Sequence, residues 1–231
     1  MNIALLGYGK MGKTIERIAT ERGHRVSIRI SDDIDIYDLS EIDIAIDFSI
    51  PTAAFKNITT CFEKGIPVIS GTTGWLEKYP EAVASCKEHN SGFIYASNFS
   101  LGVNIFFELN KKLAELMKPF QEYRVSMEEI HHTQKLDAPS GTAISLAEQI
   151  IERSDKNSWT LETPDEKQLQ ITAIRTENVP GTHKVSYSSP IDSINIEHIA
   201  HSRDGFALGA VIAAEWLQHK KGVFGMKDVL F

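Results

Sequence analysis

The sequence predicts an α/β fold in two parts: an N-terminal portion built on a parallel sheet, and a smaller α+β portion carrying a mixed sheet. Three observations predict it. From residue 1 to about 97, short β-rich runs alternate with longer helix-periodic stretches, the rhythm of strands joined by crossover helices. A glycine-rich turn follows the first apolar run directly. After Asn98 the texture changes to a long helix and then to β-rich runs separated by Pro/Gly and Ser-Pro turns, the punctuation of an antiparallel or mixed sheet.

Residues 2–6, 25–30, 43–48, 67–70 and 93–96 read as the strands of the first part. Between the third and fourth of them a helix is expected with Ser49 as cap and Pro51 in its first turn, passing through Ala53, Ala54, Ile58 and Phe62 to a stop at Gly65. In the second part a helix over about 101–117 leads into a half-buried strand at 123–130, and another helix covers about 141–152. Residues 153–167 read as a surface loop, followed by strands at 169–176, 183–188 and 193–201. Helical periodicity returns over 206–218. The expected division is residues 1–98 with 205–231 as one domain and 99–204 as the other.

With 231 residues and 42% apolar content the chain can bury a sizeable core. A net charge of -7 with scattered Lys and Arg offers no footprint for nucleic acid. The N-terminal residues contain neither a basic leader nor an apolar stretch of membrane length, so a cytoplasmic protein free of the membrane is expected. Cys61 and Cys86 stand apart, without the paired spacing of a zinc site or disulfide framework. His131, His132, His183, His198 and His201 repeat no fixed interval, and neighbouring histidines on a strand diverge. No metal is expected.

The turn after the first strand is Gly7-Tyr8-Gly9-Lys10-Met11-Gly12, a G-x-G-x-x-G pattern between strand and helix that marks a Rossmann-type dinucleotide-binding domain. Gly7 permits the tight turn, Gly9 lets the backbone approach a pyrophosphate, and Gly12 allows the helix to pack closely. Asp32 and Asp33 follow about twenty residues on, where such folds place an acid for the adenosine ribose. With no Arg or Lys adjoining them in sequence, they favour NADH over NADPH. Gly71-Thr72-Thr73-Gly74 follows the fourth strand and suits the cofactor crevice.

The densest chemistry lies in Glu129-Ile130-His131-His132-Thr133-Gln134-Lys135-Leu136-Asp137-Ala138-Pro139-Ser140-Gly141-Thr142-Ala143. Pro139 halts the preceding segment, Ser140 can cap, and the backbone amides near Gly141 and Thr142 start a helix. A carboxylate belongs at such a place. Lys135 adds a point charge, and of His131 and His132 only one readily faces the ligand.

This run resembles the 4-hydroxy-tetrahydrodipicolinate reductase family, whose Glu-x-His-His-x-x-Lys-x-Asp-x-Pro-Ser-Gly-Thr-Ala pattern it meets at every named position. The glycine fingerprint, Gly71 to Gly74, Asn98-Phe99-Ser100-Leu101-Gly102-Val103-Asn104 and Ser202-Arg203-x-x-Phe206-Ala207 fall in the family's order, so the resemblance covers nearly the whole chain. It implies hydride transfer from NADH or NADPH to a conjugated cyclic imine bearing two carboxylates, then protonation of the ring. By resemblance, His131 is the general acid/base, Lys135 the proton donor, and Ser140, Gly141 and Thr142 bind a substrate carboxylate, with His132 beside the substrate. Thr73, Ser97, Asn98, Phe99 and Arg203 correspond to positions near the cofactor, and a homotetramer built through the second domain's sheet is implied. Two departures stand out: the interval between Asp33 and Asp43 is short, and the stretch from Arg175 to His183, which keeps the family's Arg, Pro-Gly and His, has Glu177 where the family tends to have Gly. The competing expectations are an NADH-binding sensor without catalysis and another Rossmann amino-acid-pathway dehydrogenase. The sensor would carry a partner or DNA-binding module, of which no basic recognition helix is evident. The other dehydrogenases lack the His-His-x-x-Lys and Pro-Ser-Gly-Thr run.

Overall fold

Apolar runs this short and this continuous become parallel strands when helices cover both faces of the sheet. The computed structural model describes residues 1–231. In chain order its first half comprises β1 (Asn2–Leu6), α1 (Lys10–Glu21), β2 (Arg25–Ile30), β3 (Ile44–Asp47), α2 (Pro51–Glu63), β4 (Val68–Ser70), α3 (Tyr79–Glu88), β5 (Gly92–Tyr95) and α4 (Leu101–Met117). The second half comprises β6 (Arg124–His131), α5 (Gly141–Ile151), β7 (Ser158–Thr160), β8 (Gln168–Arg175), β9 (Gly181–Ser188), β10 (Ser193–Ala200), α6 (Asp204–Leu217), β11 (Gly222–Phe224) and α7 (Met226–Leu230). Two units form, Met1–Leu101 with Arg203–Phe231 and Gly102–Ser202. The expected junctions at 98/99 and 204/205 lie within a helical turn of these.

The first unit holds a six-stranded sheet in the order β11-β5-β4-β3-β1-β2, parallel throughout. Alternation along β1 divides its core. Ile3 and Leu5 meet Ile15 and Ile18 of α1 and Val211 and Leu217 of α6, whereas Ala4 and Leu6 meet Ile58 and Phe62 of α2. The strand order reverses between β1 and β3, and the carboxyl ends of those two strands define the crevice where open α/β sheets take ligands. Between β2 and β3 the chain makes only a 3₁₀ turn, Ile34–Ile36, in place of a crossover helix. Pro51 opens α2 as expected, but Ser49 does not cap it: Ile50 is the cap residue, and the Ser49 hydroxyl donates to Asp47 Oδ1 at 2.6 Å. A buried carboxylate outcompetes a helix end for that hydroxyl. No helix is long and apolar enough to cross a membrane.

The second unit holds a five-stranded mixed sheet, β10-β9-β6-β8-β7, in which β6 runs antiparallel to β9 and parallel to β8. Its core gathers Phe106 of α4, Leu146 and Ile150 of α5, and Leu169, Ile171 and Val185 of the sheet. β7 corrects the surface loop expected at 153–167, since Trp159 pairs in register with Leu169. The alternating burial of β6 sends Met127, Glu129 and His131 to the same, inner face. Two polar residues are thereby carried into a core.

Candidate active site

Glu129 is the pivot of the second unit's polar cluster. Its side chain is fully buried, a placement a carboxylate tolerates only when paired. Arg175, at the end of β8, donates from Nη2 to Glu129 Oε1 at 2.8 Å, and the Ser140 amide donates to the same oxygen at 3.2 Å. The other oxygen, Oε2, lies 2.8 Å from His131 Nδ1, at hydrogen-bonding distance though off the direction of a well-aligned N–H···O bond. Burial alone would raise this carboxyl, but His131, Ser140 and Arg175 overcome it and bring it down to about 2. His183 stands opposite Glu129 in the β6–β9 register, its ring centroid 5.0 Å from that of His131 and its Nε2 3.1 Å from Ser140 Oγ. Burial first, then the neighbouring His131, pushes His183 down to about 4.

These contacts revise the argument from histidine spacing, because strand pairing brings donor atoms of Glu129, His131 and His183 within 4.8 Å of one another. The cluster nonetheless has its cation already. Arg175 is in direct contact with the carboxylate, so a metal ion there would face a fixed guanidinium.

The segment after β6 folds over this cluster. Arg175 donates to the carbonyls of Lys135 at 3.3 Å and Asp137 at 2.6 Å, which fixes the loop. Lys135 Nζ reaches both oxygens of Asp137, at 2.9 and 2.8 Å. His132 lies beyond the end of β6 and is half-buried. Ser140 caps α5, its Oγ accepting from the Ala143 amide at 3.2 Å. Gly141 is exposed, with open space where a Cβ would stand. His131, Lys135 and Ser140 to Thr142 are therefore brought together, and Glu129, Arg175 and His183 join them.

At the nucleotide end, Gly7 adopts φ +94°, and a Cβ on it would lie 2.2 Å from the Phe48 carbonyl oxygen. Gly12 is as tight, 2.4 Å from the Gly7 carbonyl, whereas the space at Gly9 is open. Gly9 is also the cap of α1 without a side-chain cap bond, and the first turn carries no acid. That combination fits the pyrophosphate of a dinucleotide. Lys10 is exposed at the same helix start, and Met11 packs on the core. Thr72 is buried, accepting from the Ser49 amide at 2.9 Å, so it braces the Gly71 turn, while Thr73 is exposed. Ser97 is exposed, Asn98 turns back to accept from the Ser100 amide, and Arg203 caps α6 from an exposed position. The Phe99 ring belongs to the core rather than the crevice.

The acids after β2 need a correction. Lys56 of α2 sits 2.7 Å from Asp33 and 2.8 Å from Asp35, so a cation does adjoin these acids. Asp32 instead accepts from Tyr37 at 2.8 Å. Arg29 is held elsewhere, donating to Glu16 and lying over the Tyr8 ring.

Residues 1–99 match the profile described as dihydrodipicolinate reductase, N-terminus, and residues 102–230 match that of the same family's C-terminus. The chain belongs to the dihydrodipicolinate reductase family. A 4-hydroxy-tetrahydrodipicolinate reductase of Christiangramia forsetii is 62% identical over 233 residues, spanning 100% of this chain and 98% of that one. The protein of the same name from Buchnera aphidicola is 35% identical, over 89% of this chain and 78% of its own. Among solved structures, a dipicolinate-bound dihydrodipicolinate reductase from Paenisporosarcina sp. TG-14 shares the fold, with a TM-score of 0.76, 21% identity and 97% of each chain covered. A probable dehydrogenase from Thermotoga maritima aligns with a TM-score of 0.63 at 9% identity, over 100% of this chain and 92% of that one.

As a member of the dihydrodipicolinate reductase family the chain is an NAD(P)H-dependent oxidoreductase. Within the family motif, Glu129 carried a legible signal: two positions before His131 on an alternating strand, it must share the same face. Arg175 and His183 were visible only as residues kept in the family's order, and strand register brings them to the motif.

Proposed function

We propose that the chain reduces 4-hydroxy-tetrahydrodipicolinate to tetrahydrodipicolinate, with loss of water, in diaminopimelate and lysine biosynthesis. The observation that carries this is the gathering of a buried imidazole, a lysine and a capped helix start around the end of β6. When bound, the reduced nicotinamide supplies the hydride. His131 acts as general acid/base and Lys135 as proton donor at the ring. The Ser140, Gly141 and Thr142 helix start binds one substrate carboxylate, with His132 close by. Lys135 leaves Asp137 to serve the substrate, an exchange made easy because Asp137 is 60% exposed and such pairs contribute only about 0–1 kcal/mol.

The Gly7 to Gly12 turn, Thr73, the Ser97 to Phe99 turn and Arg203 hold the cofactor in this reading, with Asp32 and Asp33 at the adenosine ribose. NADH is favoured over NADPH. Assembly as a homotetramer through the second unit's sheet is supported by a row of Ile174, Ile130, Thr182 and Ile199 in register across four strands, with Ile199 50% exposed. Two free thiols, Cys61 and Cys86, accord with a cytoplasmic setting.

The test is NADH consumption on adding freshly generated 4-hydroxy-tetrahydrodipicolinate. Turnover is expected, with pyridine-2,6-dicarboxylate competing against substrate. Pyridine-2-carboxylate should bind at least about tenfold more weakly, since each charge-assisted hydrogen bond contributes about 1.5–3 kcal/mol. NADH that binds and stays unoxidised would refute the proposal.

A further inference from the structure

We propose that Glu129 is a positioning residue for the reduction: its buried carboxylate holds the His131 ring through Nδ1, registers it against the Ser140 helix start, and leaves Nε2 to carry the proton. The inference rests on the acid/base reading of His131 and assigns a role to a residue that touches neither substrate nor cofactor.

The two oxygens of Glu129 are used differently. Oε1 takes two donors, Arg175 Nη2 at 2.8 Å and the Ser140 amide at 3.2 Å. Oε2 has no aligned donor of its own and lies 2.8 Å from His131 Nδ1. In a fully buried site the cheapest arrangement puts a proton between that oxygen and that nitrogen. A proton on Nδ1 selects the tautomer in which Nε2 is the bare, basic nitrogen that can take up a proton and pass it on. The far side of the ring agrees. A Cβ on Gly181 would lie 3.0 Å from Nε2 and 3.3 Å from Cδ2, so glycine at this position leaves clearance at that nitrogen.

The single carboxylate thus spans the two halves of the proposed chemistry. One oxygen addresses the imidazole, and the other grips the first residue of the carboxylate-binding turn. His131, the Ser140 amide and Arg175 together keep the carboxylate ionised, and Arg175 carries the loop of Lys135 and Asp137 on its remaining donors. The charged and titratable groups around His131 are then Glu129 on its own strand, His183 on β9, Arg175 on β8, and Lys135 and Asp137 on the following loop. Among them Glu129 is the anion at contact distance with the ring, 2.8 Å from Nδ1.

Two measurements test this. In wild-type protein labelled with ¹⁵N-histidine, at a pH where the ring is neutral, the His131 resonances, assigned by their loss in His131→Gln, should report the proton on Nδ1; the Nε2–H tautomer overturns the proposal without reference to catalysis. In Glu129→Gln, which keeps the shape and removes the charge, kcat should fall about tenfold to a hundredfold, as for other residues that orient an imidazole. The alkaline limb of the pH profile should also move to lower pH by about one unit, a tenfold loss of proton affinity. Glu129→Asp keeps the charge and should keep the limb while losing kcat. A uniform loss of rate in Glu129→Gln with an unmoved limb means a merely structural carboxylate and overturns the proposal. Full activity in His131→Gln would instead remove the acid/base reading itself, so the two failures are distinguishable.

Discussion

At the residue scale the proposed proton transfer depends on the space around one imidazole, that of His131. Gly181 lies in β9, where alanine can adopt the extended backbone, so Gly181→Ala adds a methyl group without backbone strain. That methyl would stand 3.0 Å from His131 Nε2, and the ring must shift to admit it. Misplacing a proton-transfer group by so little costs rate rather than fold. We expect kcat to drop about tenfold or more, with NADH affinity unchanged within about twofold; calorimetric Kd values and steady-state rates check it, and an unimpaired kcat would show that Nε2 needs no such space. His131, Lys135 and Ser140 were legible beforehand because they sit in one continuous motif. Arg175, Gly181 and His183 could be read as residues the family keeps, but their place beside the motif could not, because they reach it from other strands.

At the element scale the decisive feature is the short link between β2 and β3. With a single 3₁₀ turn there, Asp33 and Asp35 face α2, and Lys56 answers both. Lys56 holds Asp33 below the usual carboxylate range and tempers the repulsion that two acids would exert on a 2′-phosphate. NADH should still lead, by up to about tenfold in kcat/KM. Lys56→Ala should widen that preference, and Asp32→Ala with Asp33→Ala should abolish it. Ratios of kcat/KM at fixed ionic strength decide, and an unchanged ratio in both variants would show that these groups do not read the ribose. The sequence carried long elements well, since α4 shows several turns of apolar periodicity. It carried β7 and β11 poorly: three residues are too few to establish a period, and each exists because a neighbouring strand offers an edge. Lys56 was unreadable for a related reason, being a surface-like helix residue whose partner lies 23 positions away.

At the scale of the whole molecule, the buried polar cluster should set the acid limit of the fold. His183 accepts its proton at about 4 when folded, held down by burial and then by His131, but near 6.5 when free. The unfolded chain therefore binds more protons between these values, and stability present above about 6.5 is lost as pH falls toward about 4. Glu129 adds a second loss at lower pH, between its ordinary 4.5 and about 2. Asp47 works against both, because its burial raises its folded pKa. We expect the melting temperature to fall from pH 7 to pH 4 and the upper part of that fall to flatten in His183→Gln; superimposable slopes in the two proteins would contradict this.

The central claim is that His131 moves the proton in the proposed reduction. It is tested most directly by comparing wild type and His131→Gln with freshly generated 4-hydroxy-tetrahydrodipicolinate and saturating NADH. General acid/base groups contribute about a hundredfold to ten-thousandfold, so kcat should fall by that factor while the Kd for NADH stays within about twofold. A kcat near that of wild type would contradict the account.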